Sequence, residues 1–519
     1  MLTKFLESRP RLTLLLACLL VLATYVTMID LKGISTDEGM RLAIINGGFP
    51  YRPEGVAPGA TWAKVLEINS ANAYQPLYFL LLNTLMRLAG AQSDIFFRLV
   101  NIVFLLLCLG GLLALSRGWR LTSRLFLLGL FSFNAFLFMH VLQIREYTAG
   151  LAFYVWSTWL VLRLDTRQLA RPWADVAWFS AYGVLLTLGF FVQSWVVFPS
   201  VAQGIFLIMR RAGDRLRFYA HLALSYTIVL SATLPYLRAN QQKVNVGLWA
   251  RENSSIWSHL SVGFHLLLSG HLPGRSPFTE FLFWFWLAAA TGALGLIFLG
   301  RAGARRQAVL LLLCIGISLA FQVGYAWRIE TLSLWPRYFV IHYFFLVWLI
   351  ALGFATLDEM RAAPALPLAR RRSLAGFAGV LAAIMTGSAV FQVHSYRSDP
   401  YLDTGVTRAS DWRTMAAELS KILQSSDVVI VNDFIIRGTL TFTRPISNQV
   451  VLLSQMDDAE FRHAKRLLYL APDRLKPGWA GVIARMSTLG FAHEQEIDLH
   501  STDGTTVLNE WHVVIFSRN

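Results

Sequence analysis

Long apolar segments recur through most of this 519-residue chain and constrain its fold more than any other feature. The first extends from Leu12 to Ile29, long enough to cross a hydrocarbon core of about 30 Å as a helix. Hydrophobic residues make up 55% of the chain and charged residues 15%, which is few for a soluble protein. The sequence therefore predicts an all-α polytopic membrane protein with about eleven transmembrane helices.

Arginines divide the connections between these segments into two kinds. Alternate connections carry several arginines, such as Arg117, Arg120 and Arg124, and the connections between them carry few. Basic residues collect in cytoplasmic loops, so we predict a cytoplasmic N-terminus and a C-terminus on the outer side. The net charge of +15 lies in these short loops, which argues against a nucleic-acid partner and for contact with membrane lipids.

Two outer loops and a change of composition define the predicted domains. A transmembrane domain is predicted over 1–394, with a first outer loop at 31–93 and a second at 238–278. Within the first loop, the segment from Pro76 to Leu88 is apolar but too short to span, so it is predicted to lie in the membrane interface. Residues 125–141 are predicted as a single spanning helix.

The last part of the chain, 395–519, is predicted to be a small α/β domain on the outer, periplasmic side. A helix and four strands are indicated by alternating or buried apolar patterns: 411–423, 427–432, 450–453, 466–470 and 511–516. Thr502-Asp503-Gly504 is a hairpin turn signal. The domain contains no glycine-rich phosphate loop and no cysteine cluster, so we expect a structural or acceptor-guiding role.

Acidic and basic side chains mix at the predicted outer ends of the helices. The candidate site residues there are Asp37, Glu38, Lys64, Gln75, Arg98, Arg145, Glu146, Tyr147, Gln193, Arg337 and Tyr338. Asp37 and Glu38 follow the first apolar segment directly, at a depth where carboxylates are costly and usually functional. Chemistry is therefore expected on the outer face.

This mixture of groups suits a sugar carried on a lipid phosphate. A carboxylate can accept the proton of an attacking hydroxyl, and arginines can stabilise the negative charge left on a phosphate. Each residue also has an ordinary explanation. The carboxylates could belong to a solvated loop, Arg145 and Arg337 could be interfacial anchors, Trp195 could belong to an aromatic belt, and Gln193 could bridge helices.

Seven short motifs occur in a characteristic order: Asp37-Glu38-Gly39, Gln75-Pro76-Leu77-Tyr78, Arg98-Leu99, Arg145-Glu146-Tyr147, Phe191-Val192-Gln193-Ser194-Trp195, Leu234-Pro235-Tyr236 and Arg337-Tyr338-Phe339. At these topological depths they resemble the GT-C superfamily of polyprenyl-phosphate-sugar glycosyltransferases. The resemblance is to the bacterial branch similar to protein O-mannosyltransferases and the lipid A aminoarabinose transferase. Gln75 replaces the usual first proline. The prolines usual further along the helix after Arg337-Tyr338-Phe339 are absent, and His342 lies nearby.

The resemblance implies an inverting transferase at the periplasmic face of the bacterial inner membrane. It would move a sugar from undecaprenyl phosphate to a hydroxyl of a glycolipid, polysaccharide or protein. Asp37 would be the base, Glu38 would orient the acceptor or the sugar, and Arg337 with Arg145 or Lys64 would bind the lipid phosphate. No cofactor is expected, and no metal site is predicted, although Asp37, Glu38 and Glu67 could supply oxygen ligands to a divalent ion.

Two other classes of protein remain open at this stage. A lipid or polysaccharide transporter would need a continuous polar path, and the inner halves of the helices show few polar residues. An O-antigen ligase or polymerase would place its main residues in a large later loop, and Arg251 and His259 in the loop 238–278 are the candidates. Substitution of Asp37 distinguishes these hypotheses from the transferase hypothesis.

Overall fold

A computed structural model describes residues 8–31, 38, 41–42, 45, 61–71, 75–90, 93–167, 169, 172–210, 215–240, 255–328, 336–363, 367–398, 418–431, 449–452, 464–472, 479–499 and 511–518. The chain divides into two compact units. The first comprises 1–29, 72–78 and 98–406, and the second comprises 30–71, 79–97 and 407–519. The predicted domain boundary at 394/395 remains a prediction.

The helices of the described residues follow the apolar segments of the sequence. In chain order they are α1 (Pro10–Met28), α2 (Trp62–Ala71), α3 (Pro76–Ala89), α4 (Asp94–Leu115), α5 (Leu121–Ser132), α6 (Ala135–Val141), α7 (Tyr147–Thr166), α8 (Pro172–Val192), α9 (Val197–Arg210), α10 (Arg215–Asn240), α11 (Ile256–Ser269), α12 (Pro277–Leu299), α13 (Ala302–Arg328), α14 (Val340–Ala362) and α15 (Leu368–Ser398). Short 3-10 turns lie at Ser194–Val196 and Pro336–Phe339.

Eight helices among the described residues are long and apolar enough to cross a membrane, namely α1, α4, α8, α10, α12, α13, α14 and α15. The pair α5 and α6 makes a ninth if it is counted as one span. The two other predicted spans correspond to α7 and α9, which are helical but do not meet the same test of length and hydropathy. The chain is thus a multi-pass membrane protein, and the number eleven remains a prediction.

The predicted single helix over 125–141 is wrong in one respect, because α5 and α6 meet at an angle of 67°. Two side chains satisfy the backbone at this bend. The Asn134 amide oxygen accepts from the N–H of Phe136 at 2.8 Å, and the Gln392 amide oxygen accepts from the N–H of Ala135 at 3.1 Å. Hydrogen-bond partners of this kind are needed wherever a helix breaks inside a membrane.

Helix α14 is the most deeply buried of the candidate spans. It packs against α5, α12, α13 and α15 in the first unit. Gly353 lies directly against Ala293 of α12, where a larger residue would collide, so the two helices approach closely. A helix enclosed in this way holds the residues at its ends in fixed positions.

The second unit contains a five-stranded mixed sheet in the order β2-β1-β3-β5-β4. The strands are β1 (Val428–Val431), β2 (Gln449–Leu452), β3 (Arg466–Pro472), β4 (Ala492–Leu499) and β5 (Trp511–Ser517), with α16 (Trp479–Thr488) between β3 and β4. Strands β2, β1 and β3 are parallel, and β5 is antiparallel to both β3 and β4.

Apolar side chains cover both faces of this sheet. Val429, Leu468 and Ile515 pack on one face, and Ile430 and Phe516 pack on the other, next to α16. The predicted α/β fold and its four strands are therefore confirmed, and the domain bounds 395–519 remain a prediction. Residues 418–422 of the predicted helix are helical, whereas its earlier part and the predicted turn at 502–504 lie outside the described residues.

Candidate active site

The corner between α6 and α7 holds Arg145 in a defined position. The side-chain amide of Asn101, on α4, donates to the carbonyl oxygens of Gln143 and Arg145, the latter at 3.3 Å. The hydroxyl of Tyr78, on α3, donates to the amide oxygen of Asn101 at 2.9 Å. A polar contact from a neighbouring helix thus fixes the backbone from which the buried Arg145 side chain projects.

The 3-10 turn Pro336–Phe339 presents Arg337 and Tyr338 at the start of α14. The Arg337 guanidinium carbon lies 5.3 Å from the centre of the Tyr338 ring. Phe339 is buried directly against Gly263 of α11, where a side chain would collide with it. The turn is therefore packed tightly against α11 at Phe339.

These two connections meet in what we call the arginine–tyrosine cluster, formed by Arg145, Tyr147, Arg337 and Tyr338. The rings of Tyr147 and Tyr338 contact edge to face, with centres 6.4 Å apart. A guanidinium nitrogen of Arg145 lies 3.5 Å from the hydroxyl oxygen of Tyr147. The guanidinium carbon of Arg145 lies 5.7 Å from the centre of the Tyr147 ring. Cations placed over aromatic rings are stabilised by the ring quadrupole, so the cluster holds two positive charges together.

The charges of the cluster act on one another. Burial lowers the pKa of Arg145, the nearby positive charge of Arg337 lowers it further, and Glu146 opposes both effects. A guanidinium nevertheless remains protonated in proteins, so both arginines are cations. Together with Glu146 the group carries a net positive charge in a weakly polar setting, where attraction for an anion is strong.

Gln193 joins the same region from the end of α8. Its amide oxygen accepts from the Tyr154 hydroxyl at 3.3 Å, and the residue is almost fully buried. Gly150 of α7 lies against Gln193, and any side chain at that position would collide with the amide. Two residues further on, the Trp195 ring lies 5.0 Å from the centre of Tyr338, which extends the cluster and argues against membrane-belt contact as its only role.

Two other predicted site residues of the first unit lie apart from these contacts. Arg98 is completely buried and donates to the carbonyl of Ile29 at the end of α1, at 2.9 Å. Gln75 is half-buried just before α3. The Arg98 contact is one that a structural arginine would make, and a substrate role for either residue stays a prediction.

Two further predicted residues, Glu38 and Lys64, belong to the second unit. Glu38 is completely buried, and Asp37, the predicted base, lies outside the described residues. Lys64 is exposed and pairs with Glu67 at 2.9 Å, an arrangement typical of a solvated helix surface. Of the alternative loop site, Arg251 lies outside the described residues and His259 is half-buried in α11.

Two polar residues of this region were not predicted from the sequence. The His140 ring, on α6, lies 4.9 Å from the centre of the Tyr147 ring and is buried. Asn101 fixes the Arg145 corner as described above. Both are polar residues within predicted transmembrane segments, and that position is the signal by which they could have been found. Within the described ranges, no group of three His, Cys, Asp or Glu side chains is placed to hold a metal ion.

No protein-family model matches the sequence, and a search of curated proteins finds no match. Among solved structures, ArnT from Cupriavidus metallidurans in the apo state aligns with a TM-score of 0.52 at 14% identity, over 97% of each chain. ArnT from the same organism bound to undecaprenyl phosphate aligns with a TM-score of 0.53 at the same identity and coverage. The chain shares the fold of these two structures, which confirms the predicted fold class.

The arabinofuranosyltransferase AftD from Mycobacteria is also similar in fold. It aligns with a TM-score of 0.52 at 14% identity over 97% of this chain but only 40% of its own length. The likeness at this identity concerns the fold alone, and the activity of the chain is argued from its own residues below.

Proposed function

We propose that this protein is an inverting glycosyltransferase that uses a sugar linked to undecaprenyl phosphate. The observation that carries the proposal is the arginine–tyrosine cluster, which brings two buried or half-buried guanidinium groups together at one end of a GT-C helical bundle. A fold neighbour, ArnT, has been solved bound to undecaprenyl phosphate, which supports a lipid phosphate as the anion.

In this proposal the cluster stabilises the leaving group. Transfer breaks the bond between the sugar and the phosphate, and negative charge grows on the phosphate oxygens. Arg145 and Arg337 donate hydrogen bonds to those oxygens, and donors placed where charge develops lower the barrier. Tyr147 and Tyr338 hold the two guanidinium groups, so little reorganisation is needed during the reaction.

Asp37 is the proposed general base, which accepts the proton of the attacking acceptor hydroxyl. Attack from the face opposite the phosphate inverts the sugar carbon. Glu38 is proposed to orient the acceptor or the sugar. The acceptor class is a hydroxyl of a glycolipid, a polysaccharide or a protein.

The distribution of arginines supports one orientation of the bundle in the membrane. Arg167, Arg217 and Arg361 lie at the ends of helices opposite to the cluster, and arginine-rich ends face the cytoplasm. We propose on this basis that the arginine–tyrosine cluster lies at the periplasmic face of a bacterial inner membrane. A reporter enzyme fused after Asn519 should be active only outside the cytoplasm, and cytoplasmic activity would contradict this orientation.

The experiment that tests the activity is sugar transfer in membranes supplied with a panel of radiolabelled undecaprenyl-phosphate sugars. Wild type is compared with Asp37→Asn, which keeps the size and removes the base, and with Glu67→Gln, which changes an exposed carboxylate of the same loop. We expect one donor to turn over, Asp37→Asn to abolish transfer at normal protein level, and Glu67→Gln to leave it unchanged. Transfer by Asp37→Asn at the wild-type rate would overturn the assignment of the base.

A further inference from the structure

A buried glutamine–histidine pair lies beneath the turn that carries Arg337 and Tyr338. Gln322 is on α13 and His342 is on α14, and both are almost completely buried. The His342 Nε2 atom lies 2.7 Å from the amide oxygen of Gln322. The Gln322 amide nitrogen donates to the carbonyl oxygen of Tyr338 at 3.3 Å. The two side chains and the turn therefore form one connected chain of hydrogen bonds.

The donors and acceptors of these groups fix the direction of the hydrogen bonds. A carbonyl oxygen only accepts, so the NH₂ of Gln322 must face Tyr338 and its oxygen must face His342. The oxygen accepts in turn, so His342 carries its proton on Nε2. His342 thus orients the Gln322 amide, and the Gln322 amide holds the carbonyl of Tyr338 in one position.

The position of the Tyr338 carbonyl matters for the arginine–tyrosine cluster. The Tyr338 ring contacts Trp195 with centres 5.0 Å apart and Tyr147 with centres 6.4 Å apart, and Arg337 lies over it. Arg337 is the adjacent residue in the same 3-10 turn. A rotation of the Tyr338 peptide would therefore displace the Arg337 guanidinium and the ring that supports it.

We propose that Gln322 and His342 are positioning residues, which act through the Tyr338 carbonyl to aim Arg337 at the lipid phosphate. This inference rests on the proposed function. Polar pairs between membrane helices also occur for structural reasons alone, in which case their loss lowers stability and leaves ligand affinity unchanged. The two roles predict different results.

The test measures binding of undecaprenyl phosphate to the purified full chain in detergent. Gln322→Leu removes both hydrogen bonds, and His342→Phe keeps an aromatic ring but removes the N–H donor. Gln203→Leu is the matched control, because Gln203 is a buried glutamine on α9 that bonds Ser157 and Tyr182 and does not bond the turn. His342→Gln restores an N–H donor on a different side chain.

We expect Gln322→Leu and His342→Phe to weaken binding about 3- to 10-fold, the range expected for a lost hydrogen bond. His342→Gln should recover part of the affinity, and Gln203→Leu should lower the melting temperature without changing affinity. In an Arg337→Ala background Gln322→Leu should cause no further loss, since its effect passes through Arg337. This non-additivity is the readout that a purely structural role would not produce.

Three results would overturn the positioning role: wild-type affinity in both Gln322→Leu and His342→Phe, an equal loss in Gln203→Leu, or an undiminished loss in the Arg337→Ala background. His342→Phe still decides the matter if Gln322→Leu does not fold. If the wild-type protein itself does not bind undecaprenyl phosphate, the proposed function fails first. Binding that is normal in wild type and in all pair variants overturns the positioning role alone.

Discussion

The arginines at the two ends of α7 and α14 contact different kinds of group: carboxylates at one end and aromatic rings at the other. At the end where α7 finishes, Asp175 is completely buried and pairs with Arg167 at 2.9 Å and Arg217 at 3.4 Å. At the corresponding end of α14, Asp358 is buried and pairs with Arg361 at 2.7 Å. Ser123 also donates to that carboxylate, at 3.0 Å. Each of these carboxylates has cations as direct partners.

At the starts of the same two helices, arginines lie against aromatic rings. Arg145 lies over Tyr147, and Arg337 lies over Tyr338. The faces of the aromatic rings stabilise the guanidinium cations by cation–π attraction. The comparison indicates that the carboxylate-paired end joins helices together, and that aromatic rings position the two arginines at the end with the arginine–tyrosine cluster.

The largest expected effect is a loss of folding stability when an ion pair at the carboxylate-paired end is broken. Asp175→Ala leaves Arg167 and Arg217 without their shared carboxylate, and breaking a buried ion pair typically costs about 3–5 kcal/mol. We expect a loss near the lower limit, since both arginines are partly exposed. Denaturant unfolding in detergent measures it. Glu359→Gln, which breaks an exposed pair with Arg301, is the control and should cost under about 1 kcal/mol. Equal losses in the two variants would contradict the comparison.

The second effect concerns ligand use at the opposite end. Arg337→Ala should raise the KM for the lipid donor about 10- to 100-fold, because it removes charge-assisted hydrogen bonds to phosphate. The folded protein should retain nearly its full stability. Steady-state transfer with a varied donor concentration gives the value. Arg337→Lys should recover part of the loss, and an unchanged KM in Arg337→Ala would remove Arg337 from the site.

A smaller effect is expected from the ring that supports Arg145. Tyr147→Phe removes the hydroxyl that faces the guanidinium and keeps the ring, so donor affinity should fall about 2- to 5-fold. Tyr147→Leu also removes the cation–π contact, so its affinity for the donor should be lower still. Binding of undecaprenyl phosphate ranks the two variants. The reverse order would show that the ring does not hold the arginine.

The smallest effect is expected at Lys64. Its ion pair with Glu67 is exposed, so Lys64→Ala should change the free energy of unfolding by less than about 1 kcal/mol. A role in phosphate binding, as predicted from the sequence, requires a raised donor KM in this variant. Glu67→Ala, which breaks the same pair from the other side, is the matched control. An unchanged KM in Lys64→Ala would exclude Lys64 from the phosphate contacts.

Long apolar segments made the helices predictable, because a backbone in hydrocarbon must satisfy its own hydrogen bonds. Strand β4 was not predicted, since its sequence from Ala492 to Leu499 is largely polar. It lies at the edge of the sheet, where charged side chains are favoured. The bend at Asn134 was also unpredictable, because it depends on a contact between distant parts of the sequence. The amide oxygen of Gln392 accepts a hydrogen bond from the N–H of Ala135, which is 257 positions away.

The candidate site was predictable in part. Motif order indicated Arg145, Tyr147, Arg337 and Tyr338, and the structure brings these four together. His140 and Asn101 are polar residues within predicted transmembrane segments, but the contact of Asn101 with the Arg145 corner joins parts of the chain 44 residues apart and could not be predicted from a local pattern. The role of Asp37 remains a prediction, since it lies outside the described residues.

The most direct test compares binding of undecaprenyl phosphate with binding of undecaprenol, which lacks the phosphate. Wild type, the double variant Arg145→Ala/Arg337→Ala, and the control Arg301→Ala/Arg305→Ala at the opposite end are measured in the same detergent. We expect wild type and the control to prefer the phosphate strongly, and the double variant to bind both lipids equally weakly. A double variant that keeps the wild-type preference for phosphate would show that the arginine–tyrosine cluster is not the lipid-phosphate site.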